Sequence, residues 1–302
     1  MGKKPMTALV LGGGGARGAL QVGAMRALME AGLQPGMLVG TSIGAANATF
    51  LAIHGFTPDG LAGLTRVWHR AAESDLLPDR YLWITLRALF NRQGGDEADQ
   101  IRQFFVQQGL EPQMRFGDLV GPRLFLVAAD LKAGSTVVFG TDPNHRLLDG
   151  VLASCAIPPW VRPLPQDDRL LMDGGVVSNV PIEPALSYGA TEIVALDLAD
   201  PRPVGPGARG FGPFLFQLIH TVQQRQLHLE MDLAAARGVP VHHIKLLPPS
   251  PIAVWELERS VALIDRGYAL MQEHLAAYPD VGRPPQRRAS WWRRLFGPRT
   301  LP

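Results

Sequence analysis

TALVLGGGGARG (residues 7–18) and MLVGTSIGAAN (residues 37–47) form two strand-to-helix junctions about one helix apart. Each begins with a short apolar run of the kind found in buried strands. In the first junction four glycines follow the strand. Helical spacing (Leu20, Ala24, Leu28) then continues to Ala31, with Gly32 in the position of a C-terminal cap. The alternation of strand and helix predicts an α/β domain.

The second junction contains Gly40-Thr41-Ser42-Ile43-Gly44, which fits the G-x-S-x-G pattern of a nucleophile elbow. A serine in such a turn has strained backbone angles, and glycines on both sides let the strand and helix pass closely. The hydroxyl then lies near a helix N-terminus, whose dipole favours negative charge. The pentapeptide is compatible with a catalytic Ser42 and with a plain turn.

The first junction, Gly13-Gly14-Gly15-Ala16-Arg17-Gly18, has several possible functions. A dinucleotide site would require an acidic residue at the end of the second strand, which instead ends in Val39-Gly40. A P-loop would require Lys and then Ser or Thr after its last glycine, where Ala19 and Leu20 stand. Two interpretations of the glycines remain. They form a purely structural turn, or their backbone amides form an oxyanion hole or anion nest.

A third motif lies far downstream, where Asp173-Gly174-Gly175 follows the apolar run Leu170-Leu171-Met172. A carboxylate at a strand end beside two glycines is placed like a general base. Asp-Gly pairs are also common in simple hairpin turns. The motif alone is compatible with a general base and with a simple hairpin turn.

Taken together, the three motifs resemble the patatin-like phospholipase family. That family has a Gly-rich loop, a G-x-S-x-G nucleophile and an Asp-Gly motif in this order, and the similarity covers roughly residues 8–198. The resemblance implies a three-layer α/β sandwich with a mostly parallel central sheet flanked by helices. It also implies lipid acyl hydrolysis by a serine–aspartate dyad, without histidine or cofactor.

Carried over to this chain, the resemblance makes Ser42 the nucleophile and Asp173 its base. The oxyanion donors would be the amides of Gly13, Gly14 and Gly15. An apolar-proline turn that the family often has near its active site would place Pro158 and Trp160 near the substrate. Arg17 would order the glycine loop or bind a phosphate at the mouth of the site.

Three other functions remain open from the sequence. An α/β-hydrolase with a Ser–Asp–His triad places its elbow after several strands, whereas Ser42 follows only the second. An acyl-carrier transacylase or thioesterase would need a histidine base that no motif supplies. A membrane-bound adapter with an inactive hydrolase fold would not need both Ser42 and Asp173.

Length and composition favour one large domain. The chain has 302 residues, 46% of them hydrophobic, and we expect this domain at residues 1–280. The single cysteine, Cys155, lies in an apolar segment and fits a packed thiol in a reducing compartment. No apolar run reaches about 18 residues, and the N-terminal run is too short for a signal peptide. We therefore expect a cytoplasmic protein.

No metal site is expected. His242 and His243 are adjacent in a predicted strand, so their side chains point to opposite faces and cannot form a simple metal pair. We expect one of them to be exposed and the other packed. No other cluster has the spacing of metal ligands.

A separate apolar segment, Leu76–Phe90, predicts either ordinary core helices or a lid over an acyl site.

Residues 281–302 form a basic tail with six arginines and no acidic residue. Removing these six from the formal net charge of +2 leaves −4, so the basic character is local. Trp291 and Trp292 stand beside Arg293 and Arg294, a combination suited to an anionic lipid surface at the inner face of a membrane. A solvated tail is the alternative. Nucleic acid is not expected, because the charge is not spread over a folded face.

Overall fold

The computed structural model describes residues 5–74, 96–157, 161–202, 211–279 and 281. The segment predicted as core helices or a lid, the residues Pro158 and Trp160, and the basic tail beyond Val281 lie outside these ranges.

Eight strands and eight α-helices make up the described chain. The strands are β1 Thr7–Leu11, β2 Met37–Thr41, β3 Arg123–Asp130, β4 Ser135–Phe139, β5 Leu164–Gln166, β6 Arg169–Asp173, β7 Glu192–Asp197 and β8 Val241–Lys245. The helices are α1 Gly18–Glu30, α2 Ile43–His54, α3 Pro58–Ala72, α4 Asp96–Gln107, α5 Leu147–Ser154, α6 Ile182–Ser187, α7 Phe211–Ala236 and α8 Val261–Ala277.

All eight strands form one sheet in the order β5-β6-β3-β2-β1-β7-β8, with β4 also paired to β3. The five strands from β3 to β8 along this order are parallel. The pairings of β3 with β4, of β3 with β6 and of β5 with β6 are antiparallel. The sheet is therefore mixed, with a parallel majority as expected.

Strand β3 receives two strands end to end on a single edge. β2 pairs with its first half, up to Thr41 opposite Val127, and β6 pairs with its last three residues, from Asp173 opposite Ala128. β4 pairs with both Val127 and Ala128, so it must occupy the other edge. Because β2 is parallel and β6 antiparallel to β3, the carboxyl ends of β2 and β6 point at each other.

Two apolar cores cover the two faces of the sheet, as alternation along a strand requires. Leu9 and Leu11 of β1 belong to the core that packs against α1, α2, α3, α5 and α8. Ala8 and Val10 belong to the core on the opposite face, with residues of α6 and α7. These two helix layers and the sheet between them form the expected three-layer sandwich.

The predictions for β1, β2 and α1 are confirmed, and the prediction that one of His242 and His243 is exposed and the other packed is wrong. β1 and β2 lie where the sequence predicts them, and α1 ends before Gly32, whose φ is 94°. The last helix, α8, begins at Val261, and Leu257–Arg259 before it forms a separate 3₁₀ turn. His242 and His243 are both half-buried, and each contacts a carboxylate. His242 lies 3.3 Å from Glu192, and His243 lies 3.0 Å from Asp197.

Within the described ranges, none of the helices has the length and apolar character needed to cross a bilayer.

Candidate active site

Ser42 occupies a strained turn between β2 and α2. Its φ of 56° and ψ of −128° lie outside the regions that non-glycine residues prefer. A Cβ on Gly44 would overlap the carbonyl oxygen of Leu11, and one on Gly40 would lie 2.5 Å from the carbonyl oxygen of Gly44. The two glycines of the pattern are therefore required for the close passage of strand and helix.

The end of α5 binds the backbone amide and the backbone carbonyl of Ser42, through Ser154 and the following residue Cys155. The Ser42 amide donates to Ser154 Oγ at 2.9 Å, and Ser154 Oγ donates to the Val127 carbonyl at 2.6 Å. The thiol of Cys155 donates to the Ser42 carbonyl at 3.2 Å. Burial, and secondarily the charge of Asp173, raises the pKa of that thiol, so it stays protonated and serves as a donor. Sequence analysis did not identify Ser154, since nothing in its local pattern marks the contact.

Asp173 ends β6 and is buried at 7% exposure. Its Oδ1 accepts a hydrogen bond from the Gly175 amide at 2.7 Å, whereas Oδ2 is buried without a hydrogen-bond partner among the described residues. Burial raises the pKa of Asp173 from 3.8 to about 6. The Ser42 side chain and the Gly175 amide oppose this shift by stabilising the carboxylate.

Ser42 and Asp173 are brought together by β3. They adjoin the carboxyl ends of β2 and β6, which pair with Val127 and Ala128, two consecutive residues on one edge. The Ser42 side chain is near enough to Asp173 to lower the pKa of its carboxyl, although Oδ2 has no hydrogen-bond partner among the described residues. Catalytic hydrogen bonds are often long before substrate binds.

The glycine loop offers fewer free amides than the sequence suggests. The Gly13 amide donates to the Asn179 carbonyl at 3.1 Å, so the expectation of a free donor is wrong for this glycine. In the described chain no group accepts a hydrogen bond from the amide of Gly14 or Gly15. The next residue, Ala16, donates to the Val254 carbonyl at 2.9 Å. Two adjacent amides thus remain available.

Arg17 contacts the glycine loop directly. Its Nε donates to the Gly14 carbonyl at 3.2 Å. Burial lowers the pKa of the guanidinium, while Asp200 and Asp197 nearby raise it and Arg202 lowers it further. An arginine keeps its charge under such shifts. The loop therefore has a fixed positive charge beside it.

An apolar cavity of about 140 Å³ opens at Ser42 and Gly15. Side chains of α2, α3 and α4 form most of its wall, among them Phe50, Ile53, Leu64, Trp68, Phe104 and Phe105. The cavity has the apolar character that an acyl chain requires. Ile157 and Val161, which flank the predicted substrate residues Pro158 and Trp160, also line it.

A buried polar chain connects the cavity wall to the glycine loop. Trp68 Nε1 donates to Asn47 Oδ1 at 3.0 Å, and Asn47 Nδ2 donates to Gln21 Oε1 at 3.0 Å. Gln21 Nε2 donates to the Gly12 carbonyl at 2.9 Å. The sequence analysis did not identify Gln21 or Asn47, because no local pattern marks a hydrogen bond between separate helices. Satisfied networks of this kind rigidify a core.

In the part of the chain that the structure describes, no group of three His, Cys, Asp or Glu side chains could hold a metal ion.

Comparison with known proteins identifies the same family that the three sequence motifs resemble. The family model described as "Patatin-like phospholipase" matches residues 9–186. "Patatin-like phospholipase domain-containing protein 7" of Mus musculus is 34% identical over 194 residues, which is 63% of this chain and 13% of that protein. "Neuropathy target esterase sws" of Drosophila melanogaster is 31% identical over 193 residues, with the same two shares. The chain thus spans about 13% of the length of these relatives.

Among solved structures, VipD from Legionella pneumophila is similar with a TM-score of 0.48 and 14% identity. The match covers 91% of this chain and 67% of that one.

Proposed function

Because the chain belongs to the patatin-like phospholipase family, we propose that it hydrolyses fatty-acyl esters of lipids, as a phospholipase A or lysophospholipase. Ser42 is the nucleophile and Asp173 its base. The observation that carries this proposal is the end-to-end arrangement of β2 and β6 on one edge of β3, which brings the two residues together. No histidine lines the cavity at Ser42 among the described residues, so a dyad fits better than a triad.

The proposed reaction begins with proton transfer from Ser42 Oγ to Oδ2 of Asp173. The oxygen attacks the ester carbonyl carbon, the alcohol leaves with the proton, and the acyl group stays on Ser42. Asp173 then takes a proton from water, which attacks the acyl-enzyme carbonyl, and gives this proton to Ser42 Oγ as the fatty acid leaves. A pKa near 6 makes this carboxylate a stronger base than an ordinary aspartate, yet leaves it ionised at neutral pH.

We assign the oxyanion donors to the amides of Gly14 and Gly15, since the Gly13 amide is already engaged. The Gly14 carbonyl and the Gly15 amide belong to one planar peptide group. Arg17 binds this carbonyl, so it fixes the direction in which the Gly15 amide points. A phosphate of the substrate at the mouth of the site would meet the same positive charge. Pro158 and Trp160 stay predicted substrate contacts.

The pH dependence of ester hydrolysis tests the proposed base. Asp173 acts only when ionised, so kcat/KM for a chromogenic fatty-acyl ester should be constant above its pKa. Below about pH 6 it should fall about tenfold per pH unit. An ordinary aspartate would place this limb about two units lower.

Glu230 provides the control, because burial raises the pKa of its carboxyl to about 7. It accepts from Ser178 Oγ at 2.6 Å and from the Glu183 amide at 2.7 Å. Glu230→Gln should leave the acid limb in place. A limb that moves with this substitution, or no hydrolysis by the wild-type protein, would contradict the assignment.

We further propose that the basic tail attaches the protein to anionic lipid. Support comes from the sequence, in which Trp291, Trp292, Arg293 and Arg294 are adjacent. Each arginine near such a surface adds about 1 kcal/mol. Deletion of residues 283–302, which retains the buried Val281, should weaken binding to phosphatidylserine vesicles at least tenfold. Turnover of a soluble ester should stay unchanged, and equal vesicle binding by both proteins would exclude the tail as the anchor.

A further inference from the structure

Two side chains in the wall of the apolar cavity have oxygen atoms without a partner. Thr49 on α2 is 3% exposed, and its Oγ1 makes no hydrogen bond within the described chain. Gln108 directly follows α4, and its Oε1 is likewise buried and unpaired among the described residues. Buried polar groups are nearly always hydrogen-bonded, so two such oxygens in one cavity indicate a missing polar partner.

Thr49 differs from other helical threonines of this protein. A threonine in a helix commonly donates to the carbonyl four residues earlier. Thr65 in α3 donates to Leu61 in this way at 2.9 Å, and Thr221 in α7 donates to Gln217 at 2.8 Å. Thr49 makes no such bond. Its hydroxyl is therefore available to an occupant of the cavity.

The position of Thr49 on α2 places the missing partner away from the reacting carbonyl. Thr49 is seven residues beyond Ser42, which corresponds to about 10 Å along α2 at the usual helical rise. Asn47, nearer to Ser42, already has its amide group bonded to Gly18, Gln21 and Trp68. An acyl chain attached at Ser42 would thus pass satisfied groups first and reach Thr49 partway along its length.

We propose that the cavity selects acyl groups that have a hydroxyl partway along the chain, an inference that rests on the proposed hydrolase function. A hydroxyl can accept a hydrogen bond from Thr49 and donate one to Gln108 Oε1. A plain hydrocarbon chain leaves both oxygens unsatisfied. A keto oxygen accepts but cannot donate, so it serves Thr49 and leaves Gln108 Oε1 unpaired. The expected order of preference is hydroxyl, then keto, then plain chain.

The test compares two chromogenic esters of equal chain length, one plain and one with a mid-chain hydroxyl. The wild-type protein should have a kcat/KM about tenfold higher for the hydroxylated ester, the effect of one good hydrogen bond. Thr49→Val keeps the shape of the side chain and should abolish most of this ratio, whereas Thr49→Ser should retain it. Thr65→Val, at a threonine outside the cavity wall, should leave the ratio unchanged.

Binding separates this proposal from the hydrolase function. The Ser42→Ala protein is titrated calorimetrically with a mid-chain hydroxylated fatty acid and with its plain counterpart, before and after Thr49→Val. A preference for the hydroxylated acid that Thr49→Val removes would support the site even if no ester were hydrolysed. Equal binding of the two acids, or a preference that Thr49→Val leaves intact, would overturn the proposal and assign the two oxygens to buried water.

Discussion

Ser42→Ala and Asp173→Asn should each lower turnover of a fatty-acyl ester by about three orders of magnitude or more. The first removes the atom that bonds to the acyl group, and the second removes the base that takes its proton. Because the two act as one unit, the double variant should be little worse than either single variant. Steady-state kinetics on the purified proteins, with a chromogenic ester, measure this.

Asp130→Asn is the matched control. Asp130 is also a buried aspartate at the end of a strand, but its Oδ1 accepts from the amides of Lys132 and Leu170. Its substitution should leave turnover nearly unchanged. A fluorophosphonate should label Ser42 in the wild-type protein. Unlabelled Ser42, or near-normal turnover in either dyad variant, would favour an inactive adapter or another nucleophile.

The Asp173→Asn protein should also be more stable than wild type at neutral pH. The folded-state pKa of about 6 exceeds the ordinary 3.8, so the folded protein binds the proton more tightly than the unfolded chain. The resulting destabilisation is absent below the ordinary value, grows as the pH rises through this window and is complete above pH 6. Removing the charge should restore about 3 kcal/mol, because each pKa unit corresponds to about 1.4 kcal/mol. Loss of activity in a more stable protein is then a loss of chemistry and not of folding.

Gly44→Ala should destabilise the protein by about 3 kcal/mol, the scale of severe overpacking. Alanine normally stabilises a helix relative to glycine by about 1 kcal/mol, but here its Cβ would overlap the main chain of Leu11 and Gly12. Backbone atoms of β1 cannot move without breaking the sheet. The strand and helix must separate, and the displaced Ser42 should lose about a hundredfold in kcat. Urea unfolding and steady-state kinetics measure the two effects.

Gly63→Ala in α3 is the control for this substitution. The atoms nearest to a Cβ there would belong to the ring of Phe50, at 3.1 Å, and to the tip of the Arg66 side chain. Side chains can shift, so Gly63→Ala should change stability by less than about 1 kcal/mol. Equal stability of the Gly44→Ala and Gly63→Ala proteins would show that the elbow tolerates a side chain at this position.

Local patterns were sufficient to predict β1, β2 and the elbow, because apolar runs and glycines act over a few residues. Hydrogen bonds between residues far apart in the chain produce no such local pattern. The Gly13 amide donates to Asn179, 166 positions away, and Ser154 holds the Ser42 amide from a distant helix. The free amides of Gly14 and Gly15 were thus visible only as part of a longer glycine run. The two unpaired oxygens of Thr49 and Gln108 likewise depend on how α2 and α4 pack.

Because β2 and β6 meet on one edge of β3, the proposed activity requires that β6 pairs with β3 in the correct register. Side chains alternate between the faces of a sheet, so a slip of β6 by one residue would turn Asp173 away from Ser42. The backbone pairing would survive such a slip, and spectroscopic secondary structure would scarcely change. Under the proposed mechanism, recovery of esterase activity after dilution from denaturant would therefore measure the rate at which β6 pairs with β3 in the correct register.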